Sequence, residues 1–542
     1  MKAPGLGAMM TRRDIPLIAS ARTLLATVHE LQPQHPGYLV GGSLRDALLG
    51  RSVADLDLSV ASDSPELARA LADRLGGHFV LLDAERGIAR VVLDEGPVRT
   101  IDIAPLRGDI HADLAERDFT VDALAAPIEG LAAGTAVALI DPHGGVADLE
   151  DGVIRLVSEQ ALVDDPLRLL RAVRLAAQLD FRLTPETADA IRRHAGRIGQ
   201  AAAERQRDEL ARCFATRRAG PALRLMDDLG LLERLFPEVT AGRGVTQPKE
   251  HHWDVFDHAI ETVTALDFML AEEEPPDGRK ARPDGREARF RRALWDALAF
   301  LPGLREHFAE EVSEGRSRAA ILKLAGLLHD VAKPETRAPD ATGRIRFFGH
   351  AERGAETARH VMRRLRFSRR EVELVATMVE EHLRPGQLSQ EGPPSRRALF
   401  RFFRDTGEAA ESVLFLSLAD HLAARGPRLR IVGWGRHVAY IAHVLARRDE
   451  EESIVRPPRL LTGNDIMAAL GIGPGPEVGR LLGALEEAQA GGEVAGNDDA
   501  LEFVRRLHRT GEGTPALRAE PSSRASGRRP QDEALAAAGG HV

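Results

Sequence analysis

The chain has 542 residues, more than one hydrophobic core supports, so three or more domains are expected. Its formal charge of −9 excludes a uniformly basic coat, and RNA binding would have to come from local basic surfaces. A single cysteine, Cys213, excludes internal disulfides and Cys-rich zinc modules; with no apolar run near the ~18 residues of a membrane span and no secretory signal, a cytoplasmic protein without a membrane role is expected.

In chain order, residues 15–150 mix short apolar runs with turns. GYLVGG, ADLDLSV, HFVLLD, ARVVL and VRTIDIA read as strands of a mixed α/β domain. From about residue 151 strand signals stop, and helical periodicity takes over in DDPLRLLRAVRLAAQL, PALRLMDDLGLLERLF, FDHAIETVTALDFML, RAAILKLAGLLHDVA and EVELVATMVEEHL. Arginines cluster at 168, 171 and 174, at 192, 193 and 197, and at 205, 207 and 212, as local basic patches or as ordinary solvated helix faces. Residues 271–290 read as a charged, Pro- and Gly-rich loop, and residues 511–542 as a disordered tail. No repeat of fixed period is present.

The first chemical constellation begins where an apolar strand runs into Gly41, Gly42 and Ser43, followed by a short helix with Arg45 and Asp46. Paired glycines let backbone approach a ligand, and a helix N-terminus offers free amides to phosphate, although a Gly-Gly turn is also an ordinary tight turn. About ten residues on, strict alternation in ADLDLSV puts Asp55, Asp57 and Ser59 on one strand face and Leu56, Leu58 and Val60 on the other. Two such carboxylates suit a pair of Mg²⁺ ions, one activating a hydroxyl for attack on an α-phosphate and one steadying pyrophosphate. Asp102, with Ile101 and Ile103 facing away, is a third acid: a metal ligand, a general base or a structural group.

GGSLRD, DLD, RDFTVDALA at 117–125, DPHGGVADLEDGVIR at 141–155 and DDPLRLLRAVRLAAQL at 164–179 resemble, in order and spacing, the class II tRNA nucleotidyltransferases and poly(A) polymerases. The resemblance covers residues 20–240 strongly and continues to about 508. It implies an α+β architecture: a polymerase β-like nucleotidyltransferase head (15–150), then all-α neck (151–245), HD (246–450) and C-terminal (455–510) parts. It further implies that Gly42 and Arg45 contact a triphosphate, that Asp55 and Asp57 ligate Mg²⁺, and that Arg117 touches the nucleotide. Asp165 and Arg168, on one helix face, would read the base of CTP or ATP, with Arg171 and Arg174 continuing towards phosphate. Two positions depart from the family pattern: Asp164 stands for the usual Glu, and Asp122 stands for the usual Asn, which would weaken or alter a sugar or base contact. The expected reaction is addition of C, A or both to the tRNA 3′ end, with full CCA, CC-only, A-only and poly(A) synthesis as alternatives. Partners are then tRNA, CTP and ATP, with no protein partner implied.

The second constellation comprises His258, adjacent His329 and Asp330, His350, His382 and Asp420, each in or beside a helix. Imidazoles and carboxylates converging from several helices suit one or two divalent transition metals, such as nickel, manganese or iron, that activate water against phosphate esters. The spacing resembles the HD phosphohydrolases, with Lys333 in the HDxxK place. An HD phosphohydrolase with a head that merely binds nucleotide or RNA is the rival from another class. The segment 460–494 resembles the family's tRNA-holding helices, which would read shape and backbone charge.

Overall fold

The computed structural model describes residues 12–248, 250–271, 286–298, 303–388, 394–450 and 458–510. The tail expectation and most of the loop expectation lie outside them. Residues 286–290, read as loop, instead begin the helix Arg286–Ala297. Two compact units form: residues 1–393 with 406–445, and residues 394–405 with 446–542.

In the larger unit a six-stranded sheet comprises β1 (Gly37–Val40), β2 (Asp55–Val60), β3 (His78–Asp83), β4 (Ile88–Val92), β5 (Thr100–Pro105) and β6 (Ala125–Pro127). Their spatial order is β3-β4-β5-β2-β1-β6, and only the central β5–β2 pair is parallel. All five strands expected from sequence are present. Alternation does what it should: Leu56, Leu58, Ile101 and Ile103 are buried on one face, where the helix Ser64–Leu75 packs across β3, β4 and β5. Asp63 caps that helix by accepting from Glu66 N, Pro65 sits in its first turn, and left-handed Gly76 ends it.

Beyond the sheet, strand structure shrinks to short two-stranded ladders such as 153–154 with 182–183, and helices dominate. The helix Arg168–Leu179 packs on Ala203–Ala215 and Ala219–Asp228. It begins four residues later than the periodicity of 164–179 predicts. Asp165 is extended (φ −140°, ψ 100°) between two helices, because Pro166 disfavours helical geometry in the residue before it. Farther on, Val255–Met269 packs against Arg318–Leu328 and Ala410–Arg425, while Arg369–Glu381 packs against Arg318–Leu328 and His350–Arg364. Ser368 and Glu371 form a capping box at the start of Arg369–Glu381. The smaller unit has helices Gly463–Leu470, Pro476–Ala490 and Asn497–Thr510 around Ile466, Leu481, Leu485 and Val504.

A buried ion pair joins the packed helices Val255–Met269 and Arg318–Leu328. Lys323 Nζ lies 2.7 Å from Asp267 Oδ1 and donates to Thr216 O at 2.6 Å, with both side chains under a tenth exposed. Asp267→Ala would strand the ammonium and is expected to cost about 3–5 kcal/mol, whereas Asp267→Ala with Lys323→Met recovers most of it. Chemical denaturation of the two variants checks this.

Candidate functional site

The head site is built on one row of the sheet. Register places Arg90 on β4 opposite Asp102 on β5, and Asp102 beside Asp57 on β2. Arg90 grips Asp102 with two hydrogen bonds, Nε to Oδ1 at 2.6 Å and Nη2 to Oδ2 at 2.8 Å. Asp57 and Asp55 have no ion-pair partner among the described residues. Asp57 Oδ2 accepts from Ser43 N at 3.3 Å, Asp57 N donates to Ser43 Oγ at 3.0 Å, and Thr100 Oγ1 donates to Asp55 Oδ1 at 2.6 Å. Burial, with the Asp102 carboxylate alongside as the next cause, pushes the Asp57 carboxyl up to about 6.

The Gly-Gly turn sits directly over this row. Gly41 has φ +64°, and a Cβ there would stand 3.0 Å from Arg117 Nη1 and 3.5 Å from Asp57 Oδ2, so both conformation and space call for glycine. A cavity of about 710 Å³ is bounded by Gly42, Ser43, Asp55, Asp57 and Asp102, with Arg171 and Arg174 at its neck side. All three expected acids therefore meet at the turn, on one side of the sheet. An all-oxygen donor set whose burial and crowding raise the Asp57 carboxyl fits a hard divalent cation.

Several cations expected to reach for phosphate already have acid partners. Arg45, buried, donates to both Asp46 oxygens and to Asp122 Oδ1 at 2.5 Å. Arg171 Nε lies 2.7 Å from Asp118 Oδ2, and its Nη2 donates to Asp122 Oδ2 at 3.3 Å. Arg174 donates to Glu209 and to Gln178. Arg117 donates to Asp113 Oδ2 at 3.1 Å. The departure at Asp122 thus has a structural sense: a buried carboxylate receives one arginine from the head and one from the neck, and together they hold it below the usual carboxylate range.

Asp165 and Arg168 share a second cavity of about 480 Å³ with Arg117, but not one helix face. Asp165 accepts from Arg205 (2.7 and 3.3 Å) and from Leu167 N, while Arg168 donates to the carbonyls of Ala161 and Glu116. The expected neck patch is largely matched: Arg192 faces Asp189, Arg193 faces Glu159, Arg207 faces Asp208, and Arg212 lies near Glu209.

All six expected members of the second cluster come together. His258 Nε2 lies 3.0 Å from Asp420 Oδ1, 3.4 Å from Asp330 Oδ2 and 3.2 Å from His329 Nε2. On the other carboxylate oxygen, Asp330 Oδ1 is 3.4 Å from His350 Nε2 and 3.7 Å from His382 Nε2. His329, His350 and His382 each direct Nδ1 at a carbonyl three residues back (Gly326, Phe347 and Val379, at 2.8, 2.6 and 2.7 Å). That contact fixes the tautomer that leaves Nε2 free to ligate. Buried Asp330 Oδ1 and His350 Nε2 have no hydrogen-bond partner among the described residues, as vacant ligand atoms would. Burial pushes His382 down to about 3, and it lowers His350 as well, favouring the neutral ligand form. Lys333 Nζ sits 2.6 Å from Asp330 Oδ2 and donates to Gln247. His251, which sequence reasoning missed, also joins His258 and Asp420 within ligand spacing; it precedes its helix, so no periodicity marked it.

An oxygen-lined head cavity at a Gly-Gly turn, followed by a histidine–aspartate cluster in a helical bundle, defines a metal-dependent nucleotidyltransferase joined to an HD domain. Residues 37–155 match the poly(A) polymerase head domain, 180–242 the probable RNA and SrmB-binding site of polymerase A, and 304–425 the HD domain. The A-adding tRNA nucleotidyltransferase of Deinococcus radiodurans is 38% identical over 88% of this chain and 96% of its own length. The CC-adding tRNA nucleotidyltransferase of Thermus thermophilus is 37% identical over 86% and 92%. A solved CCA-adding enzyme in complex with ATP, 21% identical, shares the fold with a TM-score of 0.59 over 92% of this chain and 99% of that one. The chain belongs to the tRNA nucleotidyltransferase and poly(A) polymerase family. No described helix is long and apolar enough to cross a membrane.

Because the Asp57 carboxyl is raised, its neutral form is favoured by the fold. Stability is fully present below the ordinary carboxylate range near 4 and is lost as pH rises through about 6. Asp57→Asn is therefore expected to raise the melting temperature of the metal-free protein at pH 7–8, with the gain vanishing near pH 4. Melting curves in EDTA across that range check it.

Proposed function

We propose that this chain extends the 3′ end of tRNA without a template, adding C, A or both from CTP and ATP. The tRNA 3′-hydroxyl attacks the α-phosphate, a new P–O bond forms, the bond to the β-phosphate oxygen breaks, and pyrophosphate leaves. Asp55 and Asp57 would hold Mg²⁺, which supplies activation of the hydroxyl and neutralisation of the leaving pyrophosphate. The observation that carries this reading is that Asp57 and Asp102 stand side by side on the one parallel strand pair, under the Gly41–Gly42 turn, with Asp55 and Asp57 the acids left without a cation.

The other roles follow from the chemistry of each group. Backbone at Gly42 and Ser43 approaches the triphosphate, and Arg45 and Arg117 border it. Asp165, steadied by Arg205, accepts from the exocyclic amine of C or A, and Arg168 donates to the ring nitrogen; U and G offer the opposite pattern. Head, neck, HD and C-terminal parts are taken with the boundaries read from sequence; His251 and His258 support an HD part that starts near 246, while residues 394–405 and 446–450 of that span fall in the smaller compact unit. A reaction on tRNA belongs in the cytoplasm.

The HD cluster is read as a two-metal phosphohydrolase. Asp330 would serve both ions, since one of its oxygens faces His258 and His329 and the other His350 and His382, and an imidazole-rich set suits manganese, iron or nickel. Asp330→Ala is expected to drop bound metal from two per chain to none, and His382→Ala from two to one, by elemental analysis after dialysis.

Transcripts ending before, within and after CCA, supplied with single nucleotides, decide between CC, A and full CCA addition. Asp55→Ala with Asp57→Ala is expected to reduce incorporation at least a thousandfold and leave phosphoester hydrolysis unchanged. Retained incorporation would defeat the assignment.

A further inference from the structure

A cleft of about 870 Å³ opens between the end of the helix Ala410–Arg425 and the start of the helix Ile431–Glu450. Arg425, Arg428, Arg430 and Arg436 line it, and among the described residues no aspartate or glutamate does. Arg428 Nη2 contacts His252 Nδ1 at 3.2 Å; the other three have no ion-pair partner among the described residues. The neck arginines, by contrast, nearly all face acids. Four guanidinium groups gathered with no carboxylate lining the cleft among the described residues repel one another until an anion joins them.

Two more features mark the wall. The rings of His421 and His437 stack at 4.9 Å with planes 29° apart, and Tyr440 Oη is buried without a hydrogen-bond partner among the described residues. A flat ring pair, a spare hydroxyl and unpaired guanidinium groups together are the means by which proteins hold a base and its phosphate.

The cleft is joined to the HD cluster by chain neighbours on two segments. Asp420 has 27% of its side chain exposed, against at most 2% for His258, His329 and Asp330. His421 in the cleft wall is the next residue. On the other side, His252 contacts Arg428 and donates its backbone N–H to Ala424 O at 2.8 Å, directly after His251 of the cluster.

We propose that this cleft binds a base and phosphate neighbouring the phosphoester that the HD metals attack. The HD centre then takes substrates carrying a second phosphate, whether RNA ends or free nucleotides, in preference to lone phosphoesters. This rests on the hydrolase reading above.

The test uses the full-length, manganese-loaded chain and the variant Arg425→Glu/Arg430→Glu/Arg436→Glu. Probes are a fluorescent 3′-phosphorylated pentaribonucleotide and adenosine 3′,5′-bisphosphate, with hydrolysis of bis(p-nitrophenyl) phosphate as the single-phosphate control. At least tenfold weaker probe binding, with control hydrolysis within twofold, is expected. Preference for the pentaribonucleotide assigns RNA ends, and equal affinity for the bisphosphate assigns free nucleotides. Unchanged binding of both probes overturns the proposal. So does equally tight binding of polyglutamate, or a loss of CTP and ATP incorporation into tRNA that parallels the loss of binding, since the cleft would then serve the head. If the wild type hydrolyses nothing but the tenfold difference in binding persists, the cleft stands and the hydrolase reading falls. Arg430→Gln/Arg436→Gln, with an unchanged melting temperature, is expected to weaken binding in the same direction and separates ligand loss from misfolding.

Discussion

Carboxylates confined near one another and away from water must be neutralised or protonated, and in this chain the pattern of neutralisation defines both sites. In the head, Asp102 is held by Arg90, Asp113 by Arg117, and Asp118 and Asp122 by Arg171, with Arg45 adding to Asp122. Asp55 and Asp57 are left with hydrogen bonds from Thr100 and Ser43 alone. Their charge is the uncompensated charge of the cavity, and a cation is the simplest group that would balance it. Arg90 adds a constraint of its own: Asp102 contributes an oxygen to a metal only if its guanidinium partner gives one up.

The same accounting explains how a protein of net charge −9 belongs to a family that handles RNA. Most neck arginines are paired with acids, buried as at Arg174 or at the surface as at Arg193 and Arg205, so much of their charge is already balanced within the protein and less of it is left to attract a polyanion. Asp122 shows the difference between an acid and the family amide. One side-chain carbonyl oxygen would have to serve both arginines and would bring an NH₂ donor against one of them, whereas a carboxylate offers each guanidinium its own oxygen. An acid at this position therefore ties the head helix carrying Arg45 to the neck helix carrying Arg171.

What was legible in the sequence was what depends on local period. Strict alternation marked β2 and β5 and put Asp55, Asp57 and Asp102 on one face, and helical periodicity located the supports of four of the six HD ligands, His258, His329, Asp330 and His382. Strand β6 escaped because Ala125–Pro127 is three residues long and carries no β-branched or aromatic side chain. The helix break at Asp165 was available in Pro166 but was outweighed by the apolar period around it. Arg90 was also available in principle, since Ala89 and Val91 are buried and place Arg90 on the face of the acids. The pairing of the neck arginines was not legible: Arg174 meets Glu209, and Arg205 meets Asp165, across 35 and 40 residues, and such partners are fixed only by tertiary packing.

The two clusters differ in donor chemistry, and that difference lets one chain carry both. The head offers carboxylate oxygens on the central strand pair of the sheet, a hard set suited to a cation that keeps much of its water and binds substrate phosphates. The HD cluster offers four imidazoles, three of them with tautomers fixed by backbone carbonyls, and two carboxylates, a set that favours transition ions over magnesium. Abundant magnesium would not fill the second site, and a trace transition ion captured there is withdrawn from the first. Because the Nδ1 anchors are backbone carbonyls at the ends or starts of helices, ligand geometry in the bundle is tied to helix packing itself. The head ligands, by contrast, are tied to strand register, so each site takes its precision from the element on which it was built.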